Sequence, residues 1–143
     1  MRVLGLDLGS KRIGVAVSDS DGRVATPVDT VHRTGDRQRE HRDLAALVTE
    51  WEAELVVVGM PFSLDGSEGP AALGVRTEVE ELRVTLSVPI QTYDERLTTV
   101  TANRVLMEMD LRADERRKVV DKVAASIILQ AWLDANGAEG LDG

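Results

Sequence analysis

The run Leu55-Val56-Val57-Val58-Gly59-Met60 is apolar at every position and stands between two segments of helical periodicity. Successive strand residues point to opposite faces, so a strand of this composition needs cover on both sides. The flanking segments supply it. Between Asp36 and Glu52, Leu44, Leu47, Val48 and Trp51 recur at helical spacing, and Ala72, Val75, Val79, Leu82 and Leu86 make a second stripe after the run. Pro89 ends that second helical region, and Ile90 to Tyr93 reads as a short strand. Two consecutive helix–strand crossovers predict an α/β fold with parallel strands.

The first third of the chain has the period of strands. Residues 2–8, 12–19 and 24–32 read as an antiparallel meander, with Ile13, Val15 and Val17 alternating in the second strand and His32 ending the third. Joined to the crossovers, they predict a five-stranded mixed sheet flanked by helices, with right-handed connections setting the later strands beside the first. Beyond the last strand, Thr98 or Thr99 can cap a helix carrying Ala102, Val105, Leu106 and Met109. A final helix is expected from about Asp114 to Ala135, stopping near Asn136-Gly137. At 143 residues, 43% of them hydrophobic, the chain fits a single domain over residues 1–137 followed by a short acidic tail at 138–143.

Composition removes several chemistries. Without cysteine there is no disulfide, no thiolate zinc site, no cysteine nucleophile and no covalently linked dimer. Met1-Arg2-Val3-Leu4-Gly5 leads into a strand pattern rather than a secretory signal, and no apolar run approaches the roughly 20 residues of a membrane span. A cytoplasmic protein without a membrane partner is expected. The formal net charge of -8 opposes binding to phosphate backbones. Basic residues nevertheless gather at Lys11-Arg12, at Arg37, Arg39 and Arg42, and at Arg112, Arg116, Arg117, Lys118 and Lys122. The simple reading of such runs is a solvated helix face, so a nucleic-acid partner needs separate support.

Ligands of open α/β sheets bind where neighbouring strands end, which selects Asp7 to Gly9, Gly59 to Gly69 and Asp94 to Thr99. In Gly5-Leu6-Asp7-Leu8-Gly9, the strand period points Asp7 away from the leucine face, and Gly5 leaves space beside it. Asp-x-Gly also suits a plain hairpin turn. Glu95, at the end of what reads as a central strand, could face Asp7 across the sheet, although an acidic residue there also suits a helix start. In the last helix Val120, Val123, Ala124, Ile127, Ile128 and Ala131 form the expected buried stripe, with Asp121 on its border. A carboxylate so placed needs a cation, either Lys118, Lys122 or a metal. Ala124, Ala125 and Ser126 are small enough to let this helix approach the sheet against Gly5. Together Asp7, Glu95 and Asp121 could form an oxygen-only cluster suited to Mg²⁺ or Mn²⁺; with His32 and His41 the only histidines, a histidine zinc site is not expected. Two such ions held about 3.5 to 4 Å apart support phosphodiester hydrolysis. In the loop Gly59 to Pro70, backbone amides with Ser63 or Ser67 could meet a phosphate, or Ser67 could simply cap the next helix.

Four ordered motifs, Gly5-Leu6-Asp7-Leu8-Gly9-Ser10-Lys11-Arg12-Ile13-Gly14-Val15-Ala16, Gly59-Met60-Pro61 with Asp65-Gly66-Ser67, Asp94-Glu95-Arg96-Leu97-Thr98-Thr99, and Asp121-Lys122-Val123-Ala124-Ala125, span nearly the whole chain. This sequence resembles the YqgF/RuvX family of the RNase H-like, RuvC-like superfamily, whose members are named as Holliday-junction resolvases and as pre-16S rRNA nucleases. The resemblance implies an RNase H-like fold, an acidic triad of Asp7, Glu95 and Asp121, and Lys11, Arg12, Arg96 and Lys122 near the substrate. It implies a metal-dependent endonuclease processing the 5′ end of pre-16S rRNA in ribosome biogenesis, with Holliday-junction resolution in DNA recombination as the alternative. The corresponding partners are structured RNA or branched DNA and ribosomal precursor particles, met as a monomer or a non-covalent homodimer. Met60 and Phe62 stand where relatives often have leucine, a change of packing rather than chemistry. Two remoter readings are an actin-like ATPase lobe, since Asp7, Gly9 and Gly14 also fit its phosphate loop, and a catalytically silent nucleic-acid-binding module. Length argues against the first, because those proteins close two lobes over ATP, and the three carboxylates argue against the second.

Overall fold

A computed structural model of the chain describes residues 1–98 and 123–136. Strands β1 (Val3–Leu8), β2 (Arg12–Ser18) and β3 (Ala25–His32) form the antiparallel meander, then α1 (Arg37–Glu50) leads to β4 (Leu55–Met60) and α2 (Pro70–Thr85) to β5 (Ile90–Asp94). The sheet order is β3-β2-β1-β4-β5, with β4 parallel to β1 and β5 parallel to β4. One turn of 3₁₀ helix, Glu95–Thr98, follows β5, and residues 123–136 are helical and are called α3 here. The five-stranded mixed sheet flanked by helices is therefore present. One placement differs: among the described residues β5 is an edge strand rather than a central one, because each crossover adds its strand outside the last and no described strand follows β5. The expected helix around Ala102 to Met109 and the start of the last helix lie outside the described residues.

Helix boundaries follow local chemistry. Asp36 caps α1, its carboxylate accepting the Arg39 N–H at 3.2 Å. Helix α2 instead starts at Gly69 with Pro70 in its first turn and no side-chain cap. Ser67 is not that cap; its N–H and hydroxyl both donate to Asp65, at 2.9 and 2.7 Å.

The sheet divides the interior in two. Leu4, Leu6, Ile13, Val15, Val56 and Val58 point towards α1 and α2 and meet Leu44, Val48, Val79 and Leu82. Val3, Ala16, Leu55 and Val57 point the other way and meet α3 through Ala125, Ile128, Leu129, Trp132 and Leu133. The sheet-facing stripe of α3 thus differs from the one expected from periodicity: Ala125 and Leu129 lie on it, while Ala124 is only half-buried. Residues 123, 125–129 and 131–133 are all buried, and a helix so apolar around its circumference gives periodicity little to select.

Glycine sets how closely α3 approaches. A Cβ added at Gly5 would stand 2.7 Å from the Leu129 Cβ and 3.1 Å from the Ala125 carbonyl oxygen, too close for either. One at Gly59 would lie 2.5 Å from the Ile128 Cδ1.

On the opposite side an ionic cluster joins β3 to both helices. Arg33, just past β3, donates to Glu78 of α2 at 2.6 and 2.8 Å, to Glu40 of α1 at 2.9 Å, and through Nε to the Gly9 carbonyl at 2.9 Å. Glu40 also accepts from the Thr34 and Gly35 N–H groups, and His41 lies 2.7 Å from Glu78. Glu40, His41 and Glu78 are buried. Burial alone would raise the Glu78 carboxyl, but the bonds from Arg33 and His41 and the charges of Arg33 and Arg37 outweigh it and hold it down to about 2. Glu40 is lowered as well: burial opposes this, and Arg33 and Thr34 overcome it.

Two outcomes follow from this packing. Gly5→Val forces α3 off β1 and should destabilise the protein by about 1 to 3 kcal/mol in urea unfolding. Glu78 has a folded-state value below its ordinary 4.5, so its contribution is complete above about pH 4.5 and is withdrawn as pH falls towards 2. Acid titration of stability should show wild type losing roughly 1 to 3 kcal/mol more than Glu78→Gln across that window.

Candidate active site at the carboxyl ends of β1, β4 and β5

Asp7 lies on the α3 face of β1, in register with Gly14 of β2. The β1–β4 pairing runs to Leu6 and Val58, so Gly59 stands abreast of Asp7 on the other side. Glycine therefore flanks this carboxylate on both neighbouring strands, and Gly5 lies two residues behind it on its own. A Cβ built at Gly14 would be 3.7 Å from the Asp7 Cβ and 3.5 Å from that of Ala125, which places α3 directly beside the aspartate. The tight turn after β1 closes with the Gly9 N–H donating to the Asp7 carbonyl at 3.0 Å.

Glu95 arrives from the edge. Its Oε1 lies 2.6 Å from where a Gly59 Cβ would stand, so the missing side chain of Gly59 is what lets the glutamate fold over β4 towards Asp7. Burial raises its carboxyl to about 7, and the negative charges of Asp7 and then Asp94 push the same way. Two half-buried acids converge here.

The loop between β4 and α2 is fastened to this corner through Arg96. The guanidinium is held on Asp94, with Nε 3.0 Å from both carboxylate oxygens and a second nitrogen 2.5 Å from Oδ2. It lies 5.8 Å from the centre of the Phe62 ring, within cation–π range, and against Gly66, whose φ of 88° suits glycine. Its bonds to Asp94 hold that carboxyl below the usual range.

The residues expected at the site are therefore placed as follows. Asp7 and Glu95 come together. Lys11 and Arg12 are exposed at the turn that follows Asp7, Ser63 is exposed on the β4–α2 loop, and Arg96 keeps 37% of its side chain accessible beside Glu95. Asp121 and Lys122 lie outside the described residues. Among the described residues no group of three His, Asp or Glu side chains could by itself hold a metal ion. Sequence reasoning missed the cluster of Arg33, Glu40, His41 and Glu78. A signal was present. Glu78 falls three residues after Val75 and four before Leu82, and Glu40 four before Leu44, so both acids lie on apolar helical stripes.

The fold and the family are shared with known proteins. Two solved Thermus thermophilus RuvC structures share the fold: one in complex with a Holliday junction substrate has a TM-score of 0.54 at 19% identity, covering 96% of this chain and 97% of that one. The second has a TM-score of 0.52 at 17% identity, covering 98% and 97%. A Myxococcus xanthus protein named "Putative pre-16S rRNA nuclease" is 50% identical over 95% of this chain and 89% of its own length. A Moorella thermoacetica protein of the same name is 45% identical over 99% of this chain and 100% of its own. The family model described as "RuvX: Holliday junction resolvase" matches residues 1–135, and with relatives this similar along their whole length, the chain belongs to the RuvX (YqgF) family.

Proposed function

We propose that this protein is a divalent-metal-dependent nuclease that hydrolyses nucleic-acid phosphodiester bonds, acting on the 5′ end of pre-16S rRNA in ribosome biogenesis. The observation that carries this reading is Glu95 lying over Gly59 beside Asp7, two hard oxygen donors brought together where glycine leaves space. Such a donor set fits Mg²⁺ or Mn²⁺, and a carboxyl raised by burial and then by a neighbouring carboxylate is one that a cation would settle. Asp7 and Glu95 would hold the metal together with Asp121. That third assignment rests on sequence: Asp121 precedes Ala125 by four residues, the spacing that separates Ala125, Leu129 and Leu133 on the sheet-facing stripe.

Bound there, two divalent ions supply charge that lowers the pKa of water and stabilises the departing oxygen. The protein's own contribution is placement. Lys11, Arg12 and Lys122 contact phosphates by charge, Ser63 by its hydroxyl, and Arg96, held on Asp94, offers its accessible edge to the same strand. The names carried by relatives half identical to this chain support an RNA substrate. The family model's description favours a second reading, resolution of a four-way DNA junction. Offered equal amounts of a 5′-extended 16S precursor and a synthetic junction with Mn²⁺, the protein should cleave the precursor faster; a faster junction reaction reverses the order of the two readings.

Asp7→Asn and Asp121→Asn should each lower divalent-dependent cleavage by about 100-fold or more, and undiminished cleavage by both would end the nuclease reading. Glu95→Gln should act on cleavage and stability in opposite directions. With a folded-state value near 7 above an ordinary 4.5, Glu95 withdraws stability from the metal-free protein as pH rises through that interval. Without metal, Glu95→Gln should therefore melt above wild type at pH 8 and match it at pH 4, while cleaving poorly.

A further inference from the structure

Arg33 reaches the candidate site without touching it. Its guanidinium plane is set by Glu78 and Glu40, both buried, and its Nε–H meets the Gly9 carbonyl at 2.9 Å. Its backbone N–H donates to the Lys11 carbonyl at 3.0 Å. One residue thus grips both ends of the three-residue turn that joins Asp7's strand to Lys11 and Arg12. The turn has little slack: a Cβ at Gly9 would lie 2.5 Å from the Arg12 carbonyl oxygen. Buried ion clusters add little net stability over apolar packing of the same volume, so the geometry this cluster enforces is its more informative property. The planar guanidinium makes four bonds here in fixed directions, one more than the three N–H donors of an ammonium allow.

We propose that Arg33 is a positioning residue for the β1–β2 turn, anchored by Glu78 and Glu40, and that through this turn it aims Asp7 at the divalent ion and Lys11 and Arg12 at the phosphate. The second half of this statement rests on the nuclease reading above. The guanidinium would work as a bracket: α1 and α2 hold its carboxylate side, and the turn hangs from its Nε.

The test compares wild type, Arg33→Lys, Arg33→Gln and Val79→Ala, the last a core change in α2 that lowers stability without touching the turn. Exchange of the Gly9 amide, bonded to the Asp7 carbonyl, is followed by NMR, and Mn²⁺ binding to the metal-free full chain by calorimetry. At equal fraction folded, whichever Arg33 variants fold should exchange the Gly9 amide about tenfold faster or more. Their Mn²⁺ affinity should fall about 10- to 100-fold, the range for residues that orient metal ligands, with Val79→Ala moving neither readout. Wild-type Gly9 exchange in the Arg33 variants, or equal loosening in Val79→Ala, overturns the positioning role. Faster Gly9 exchange with unchanged Mn²⁺ affinity overturns the link from turn to metal. Wild type that binds no Mn²⁺ overturns the nuclease reading itself, and with it any service of the turn to a metal centre, a result visible without any variant.

Discussion

Close approach of helix 123–136 to the sheet is the constraint on which the site depends. That helix rests on Gly5, where a Cβ would meet the Leu129 Cβ and the Ala125 carbonyl, and the tip of Ile128 fills the space left at Gly59. A side chain at position 5 would hold the helix further off. The same track of absent side chains leaves room for two carboxylates on one side of the sheet. Packing and chemistry are thus set by the same residues, and a glycine here is selected by both.

The sheet separates two groups of acids that the protein treats in opposite ways. On the α1 and α2 side, Glu78 meets Arg33, Arg37 and His41 and is held down to about 2. On the α3 side, Glu95 meets Asp7 and Asp94 and is raised to about 7. The first group is satisfied by the chain itself and behaves as part of the framework. Within the second, Asp94 is paired with Arg96, while burial and then the carboxylates of Asp7 and Asp94 push the Glu95 carboxyl upward. Net charge conceals this division, since both groups count equally towards the formal -8.

Much of the fold was legible because period and punctuation agreed along most of the chain. Alternation marked the meander, the unbroken run at Leu55 marked β4, and Asp36 marked the start of α1. Asp7 could be placed on the correct face by parity alone, and Gly5 could be matched with Ala125 by size. What could not be read depends on relations between elements. Strand order is decided by crossovers and not by the composition of β5, so the edge position of Glu95 was hidden. The orientation of a helix apolar around most of its circumference was also hidden. The Arg33 cluster joins residues 33, 40 and 78, whose separations carry no local pattern, although the acids' places on apolar stripes hinted at partners.

Arg96 binds Asp94, lies over Phe62 and rests on Gly66, so the loop from Pro61 to Gly69 and the start of the 3₁₀ turn share one fastening. The loop is thereby tied to the strand end that carries Glu95 through the Asp94–Arg96 pair. Its solvent-facing tip, where Leu64 is 96% exposed, therefore lies one fastening away from the glutamate.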